Sequence, residues 1–173
     1  NELMTCIGEF ATSGSEKEKT LAFLLLDKLA EYVGSYLVKH LDSVTNFICP
    51  ALLEIDHLDF SNSDRGLLAD KLSTMAAAAQ ACCSVIFEMD ESALSNHQLC
   101  QHLLQAARVG RTLVDAFESG VLDQYIDASS LAEDVFTSLN RLAQEVPHSF
   151  RLTFPAIATE VICPLCSKPG SDA

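Results

Sequence analysis

The 173-residue chain carries 24 acidic and 11 basic side chains, a net charge of −13, with 49% apolar residues and no Trp. A chain of this length removes roughly 70% of its unfolded surface from water. Its acidic balance repels phosphate backbones and anionic lipid, which argues against nucleic acid and membrane surface as ligands and favours a basic protein partner. No apolar run approaches the roughly 18 residues that span a bilayer. The seven cysteines are an odd number set mostly in apolar stretches. They read as small buried hydrophobes of a reducing compartment, which places the protein inside the cell, cytoplasmic or nuclear. Asn1 is not an initiator Met and nothing before Ser15 has the pattern of a signal peptide, so a piece of a longer chain is expected.

Paired helices fill the rest. Ser15 with Glu18 has capping-box spacing, which predicts a helix from about 16 to 34 that ends at Gly34. Asp42 is expected to cap a second helix to about Ile55, bent or broken at Pro50. A polar loop from Glu54 to Asp64 precedes a third helix to about Glu88, with Leu67, Leu68, Leu72, Met75, Ala76, Ala79, Cys82, Cys83 and Ile86 on its apolar side. Ser95 with Gln98 opens a fourth helix through Leu99, Leu103, Leu104, Ala107, Leu113, Val114 and Phe117 to Gly120, continuous across Gly110. Ser130 with Glu133 opens a fifth to Val146, stopped by Pro147, and a last helix near 153 to 166 leads into a polar tail. No period-two strand pattern survives. The expected fold is one all-α domain over 1–173, built of antiparallel helix pairs at about 16–55, 64–119 and 130–166.

The first and last pairs repeat one phrase. Phe23, Leu26, Leu29, Ala30 and Val33 map onto Phe136, Leu139, Leu142, Ala143 and Val146; Leu37, Leu41 and Val44 map onto Phe150, Phe154 and Ile157. After a one-residue slip, Ile48-Cys49-Pro50 maps onto Ile162-Cys163-Pro164. An amphipathic helix, a turn and a second apolar helix, repeated, is the pattern of a stacked helical-repeat protein. Leu29 and Leu142 are then expected in equivalent buried positions. The stretches LLLDKLAEYVGSYLVKHLDSVTNFICPALLE and LAQEVPHSFRLTFPAIATEVICPLC resemble HEAT repeats of importin-β-like nuclear transport receptors. The resemblance covers about 70 residues. It implies an α-solenoid without enzymatic activity or cofactor, binding a Ran-type small GTPase or transport cargo with a basic segment. The central pair is longer than a HEAT pair, which leaves a closed, vinculin-like helical bundle acting as an adaptor as the alternative.

Chemistry-bearing candidates are few. Cys163-Pro-Leu-Cys166 has the spacing of a zinc or redox site, but only seven residues follow it and none is Cys or His, so packing cysteines are the expectation. The triplets Glu54 to His57 and Glu145 to His148 have the spacing of di-iron ligands, yet they sit at helix ends and are read as solvated. His97, Cys100 and His102 point to different helix faces. No nucleophile elbow or phosphate-binding Gly loop occurs. If the third and fourth helices form an antiparallel hairpin, Asp56, Asp59, Asp64, Asp115, Glu118, Asp123 and Asp127 gather at one pole. They form the candidate docking surface for a basic segment.

Overall fold

The computed structural model describes residues 2–61, 64–94 and 97–168, all of them helix, turn or loop with no strand. Helix α1 (Glu2–Ser13) precedes the first expected element. It buries Met4, Ile7, Gly8 and Ala11, a stripe at i, i+3, i+4 and i+7. Helix α2 (Glu16–Val38) opens on the expected capping box, with the Ser15 hydroxyl accepting from the Glu18 N–H and the Glu18 carboxylate from the Ser15 N–H. It does not end at Gly34. Val33 leaves helical geometry and the helix resumes to Val38. Gly34 serves packing instead: a Cβ there would lie 2.4 Å from Glu88 Oε2.

Helix α3 (Leu41–Leu53) starts after His40, with Asp42 inside its first turn rather than capping it. Pro50 neither breaks it nor ends it. Burial of Ile48, Cys49 and Leu52 holds the backbone helical despite the missing donor. A 3-10 turn, Glu54–His57, follows. Helix α4 (Arg65–Phe87) is capped by Asp64 Oδ1, which accepts from the Leu67 N–H at 3.0 Å. Its Leu67 is exposed, whereas the other expected apolar positions are buried.

The fourth expected helix is divided. A turn α5 (Glu91–Leu94) and a turn α6 (Gln98–Gln101) precede α7 (Leu103–Ser119). The proposed cap Ser95 lies outside the described residues. His97 caps α6 through Nδ1, accepting from the Leu99 N–H at 3.2 Å. Partial burial lowers its pKa, in keeping with the unprotonated ring nitrogen that this cap requires. Gly120 ends α7 at φ 65°, the left-handed turn that favours glycine. Helix α8 (Ala128–Glu145) is capped by Asp127 rather than Ser130: the Asp127 carboxylate accepts from the Ser130 N–H. Pro147 stops α8 as expected, in a 3-10 turn Pro147–Phe150. The last helix runs in three pieces: α9 (Phe154–Ile157), a π-helical stretch Ala158–Ile162, and α10 (Cys163–Cys166).

Side-chain bonds fix the directions. Thr74 of α4 donates to Glu16 of α2 at 2.9 Å, Ser84 to Asp27 at 2.6 Å, and Glu88 closes on Gly34, so α2 and α4 run parallel. At its other side, the start of α4 lies beside Tyr125 at Gly66, and Phe87 near its end carries the Arg141 guanidinium over its ring at 4.4 Å. Helix α8 is therefore parallel to α4 as well. Helix α7 returns antiparallel between them, with Gly110 pressed against the Phe136 ring. Between Leu68 and Phe87, α4 has no exposed residue.

The two copies of the repeated phrase are not buried alike. Leu142 is 1% exposed, whereas Leu29 is only partly buried. Phe23, Ala30 and Ile48 are buried, whereas Phe136 is partly open and Ala143 and Ile162 are exposed.

Candidate functional site

An apolar groove of about 640 Å³ lies between α8 and the segment 147–162. Its sequence causes are local. Pro147 ends α8 and turns the chain back along it, and Pro155, at the start of α9, tolerates its missing donor in the first helical turn. Small Ala107 on α7 and Ala143 on α8 leave the space unfilled. Leu139, Phe150, Ile157 and Val161 form a buried floor, and Phe154, 57% exposed, and Ile162 form the rim. Asn140 and Arg151 are the polar groups of the lining.

The far wall is tied to α7 by charge. Arg108 donates from Nε to Glu160 Oε2 at 3.0 Å and from Nη1 to Asp56 Oδ1 at 2.8 Å, with a further bond from Nη2 to Glu160. Arg111 donates to the Glu160 carbonyl within the π-helical stretch. Lys168 reaches Asp115 at 2.7 Å and also Glu118. Hydrogen bonding to Glu160, with Asp56 behind it, raises the Arg108 pKa further, so the guanidinium keeps its charge. Because these groups are about one-third exposed, Arg108→Gln is expected to lower stability by about 1–2 kcal/mol at low salt. Urea unfolding at higher ionic strength should show that loss shrink as salt screens the pairs. A loss independent of salt would mean packing of the Arg108 stem, not the clasp, is what the variant removes.

The candidate acidic residues fall into separate roles. Asp64 and Asp127 cap α4 and α8, and Asp59 accepts from Ser61 at 2.6 Å. Asp56 belongs to the Arg108 clasp, while Asp115 and Glu118 come together on Lys168. Asp123 sits beside Gly120, and the contact of Gly66 with Tyr125 brings Asp64 to the same end as the α7–α8 turn.

The cysteines form two classes. Cys49, Cys82, Cys83 and Cys100 are buried. Desolvation pushes the Cys49 and Cys100 thiols up to about 11 and Cys83 to about 12, and raises Cys82 well above its ordinary value. Cys163 and Cys166 are exposed, as is Cys6, so packing does not account for the CxxC pair. Glu54 and His57 lie in the exposed 3-10 turn, and Glu145 and His148 are exposed on either side of Pro147. Cys100 is buried while His102 is solvent-facing on the Gln98 carbonyl, so His97, Cys100 and His102 do not converge. No group of three or more His, Cys, Asp or Glu among the described residues is placed to hold a metal ion, and no described helix is long and apolar enough to cross a membrane.

The groove was not legible in the sequence. Phe136, Leu139, Ala143, Phe150, Phe154, Ile157 and Ile162 of its lining belong to the repeated apolar stripe, but which copy stays uncovered depends on where α4 packs. No protein-family model matches the chain, and no curated protein or solved structure matches it either.

Proposed function

We propose that this chain is a non-enzymatic protein-interaction scaffold of stacked helix pairs, with the groove between α8 and residues 147–162 as its docking surface. The observation that carries this is the open apolar groove itself, rimmed by exposed Phe154 and Ile162. Grooves of this kind take the apolar face of a helix. The parallel course of α2, α4 and α8 supports a solenoid-like stack over a closed bundle, in which neighbours joined by short turns alternate in direction. Arg151 at the groove has no ion pair among the described residues, and it suits an acidic residue on the docked helix.

A second reading, docking of a basic segment as in transport receptors with their cargo or Ran-type GTPase, draws on one contact. Asp115 and Glu118 already hold the Lys168 ammonium, so a basic partner would take that place.

Fluorescence anisotropy with two labelled peptides separates the readings. An amphipathic helix with acidic flanks and small residues on its apolar face should bind, and Phe154→Asp should weaken it at least about tenfold, near 1.4 kcal/mol. Phe154 is exposed, so circular dichroism should stay unchanged. A Lys-rich peptide lost on Asp115→Asn with Glu118→Gln, but indifferent to Phe154→Asp, would favour the second reading. Binding of neither peptide defeats the scaffold assignment.

A further inference from the structure

We propose that the groove is the vacant counterpart of the cleft that α4 fills in the first copy, and that its occupant is a partner helix of the α4 kind lying parallel to α8. This rests on the scaffold reading and names the chemistry of the partner.

The correspondence runs position by position. Phe136, Leu139, Ala143, Phe150, Ile157 and Ile162 line the groove. Their counterparts Phe23, Leu26, Ala30, Leu37, Val44 and Ile48 are each 0–1% exposed. What covers them includes α4: Ser84 donates to Asp27, and Glu88 closes on Gly34, the positions equivalent to Asn140 and Pro147. The opposite side of α8 behaves in the reverse way. Leu142 is buried beside Cys83, Ser84 and Phe87 of α4, whereas its counterpart Leu29 is only partly buried. Each parallel helix thus presents one side to the helix before it and the other to the helix after it, the head-to-tail logic of a repeat stack. Among the described residues, α8 has its preceding neighbour in α4 and the open groove on the other side.

The helix that fits can be read from α4. Thr74, Ser84 and Glu88 meet α2, and Ala77 and Ala81 fall on the same line at heptad spacing, both buried. Small side chains there let the helix axes approach closely and leave room for the large residues of the receiving face, as Phe23 and Leu26 do in the first copy. The partner is therefore a helix with a stripe of Ala, Ser or Thr every three to four residues and a hydroxyl opposite Asn140. Leu or Phe on that stripe would not seat.

The test uses labelled peptides of the Arg65–Phe87 sequence, carrying Cys82→Ser and Cys83→Ser, titrated into the full chain. One peptide keeps the small stripe, and the other carries Ala77→Leu and Ala81→Leu. The first should bind at least about tenfold tighter than the second. Ala143→Trp, at an exposed groove position, should abolish that binding while leaving circular dichroism unchanged. Equal binding of both peptides, with binding still lost on Ala143→Trp, would overturn the α4-like occupant and leave the scaffold reading standing. Binding indifferent to Ala143→Trp would overturn the groove as the site. Sedimentation showing self-association abolished by Ala143→Trp would overturn the partner in favour of a second copy.

Discussion

Phe23→Ala is expected to lower the unfolding free energy by about 3–5 kcal/mol, the cost of a large cavity in a packed core, and Phe136→Ala to cost clearly less. Phe23 is 0% exposed and lies in the side of α2 that the core covers, whereas Phe136, its counterpart in the repeated phrase, is only partly buried and borders the open groove. Transfer free energy scales with the apolar area removed from water, so the residue with an open side has less to lose. Chemical denaturation of both variants with a common m-value gives the comparison. Equal losses would mean that the two copies are covered alike in solution and that the groove is closed. Leu26→Ala and Leu139→Ala should follow the same order with a smaller gap, since Leu139 is only 7% exposed.

The local punctuation of the chain was legible. Ser15 with Glu18, Asp64, Gly120 and Pro147 act through bonds and dihedrals within one turn, and each marks an element boundary in the fold. Where tertiary packing competes with local preference, the reading failed. Gly34 looked like a terminator, but its lack of a side chain admits the Glu88 carboxylate. Pro50 looked like a breaker, but its helix is held by buried neighbours on both sides. Ser130 looked like the cap of α8, but the Asp127 carboxylate three residues earlier takes that place. Helix α1 did leave a signal, the spacing of Met4, Ile7, Gly8 and Ala11, that went unread.

Longer-range features had no local sign. Arg108 finds Asp56 and Glu160 across roughly fifty residues in each direction, and Lys168 finds Asp115 and Glu118 across a similar span. Helix pairing brings these groups together, so six of the seven candidate acidic residues are divided among two caps, a loop turn and two clasps, while Asp123 sits beside Gly120. The exposure of Cys163 and Cys166 follows from the same cause. Their counterparts Cys49 and Leu52 are buried, Cys49 near Cys82 of α4, while among the described residues the second copy has no such cover.

The buried thiols make stability fall at alkaline pH. A thiol whose folded-state pKa is raised keeps its proton in the folded protein while the unfolded chain gives it up. Its stabilisation is therefore complete below the ordinary value near 9 and is lost as pH rises toward about 12 for Cys83, with Cys82 beside it raised in the same direction. Both lie in α4 with almost no contact with water, and desolvation of the thiolate is the leading cause for each. Each pH unit in that window costs about 1.4 kcal/mol per thiol, so Cys83 alone should remove about 2 kcal/mol by about pH 10.5, and Cys82 adds to the loss in the same direction. That is a large share of a typical domain's stability of about 5–15 kcal/mol. Urea unfolding midpoints between pH 7.5 and 10.5, taken under reducing conditions, should fall steeply above pH 9. The variant with Cys82→Ala and Cys83→Ala should lose about half of that slope, because the raised thiols of Cys49 and Cys100 remain, even though its stability at neutral pH is lower. Replacing Cys6, Cys163 and Cys166, all exposed, by Ser should leave the slope intact. A slope unchanged by removing the two α4 thiols would place the alkaline sensitivity elsewhere in the chain and would mean that water reaches the centre of α4.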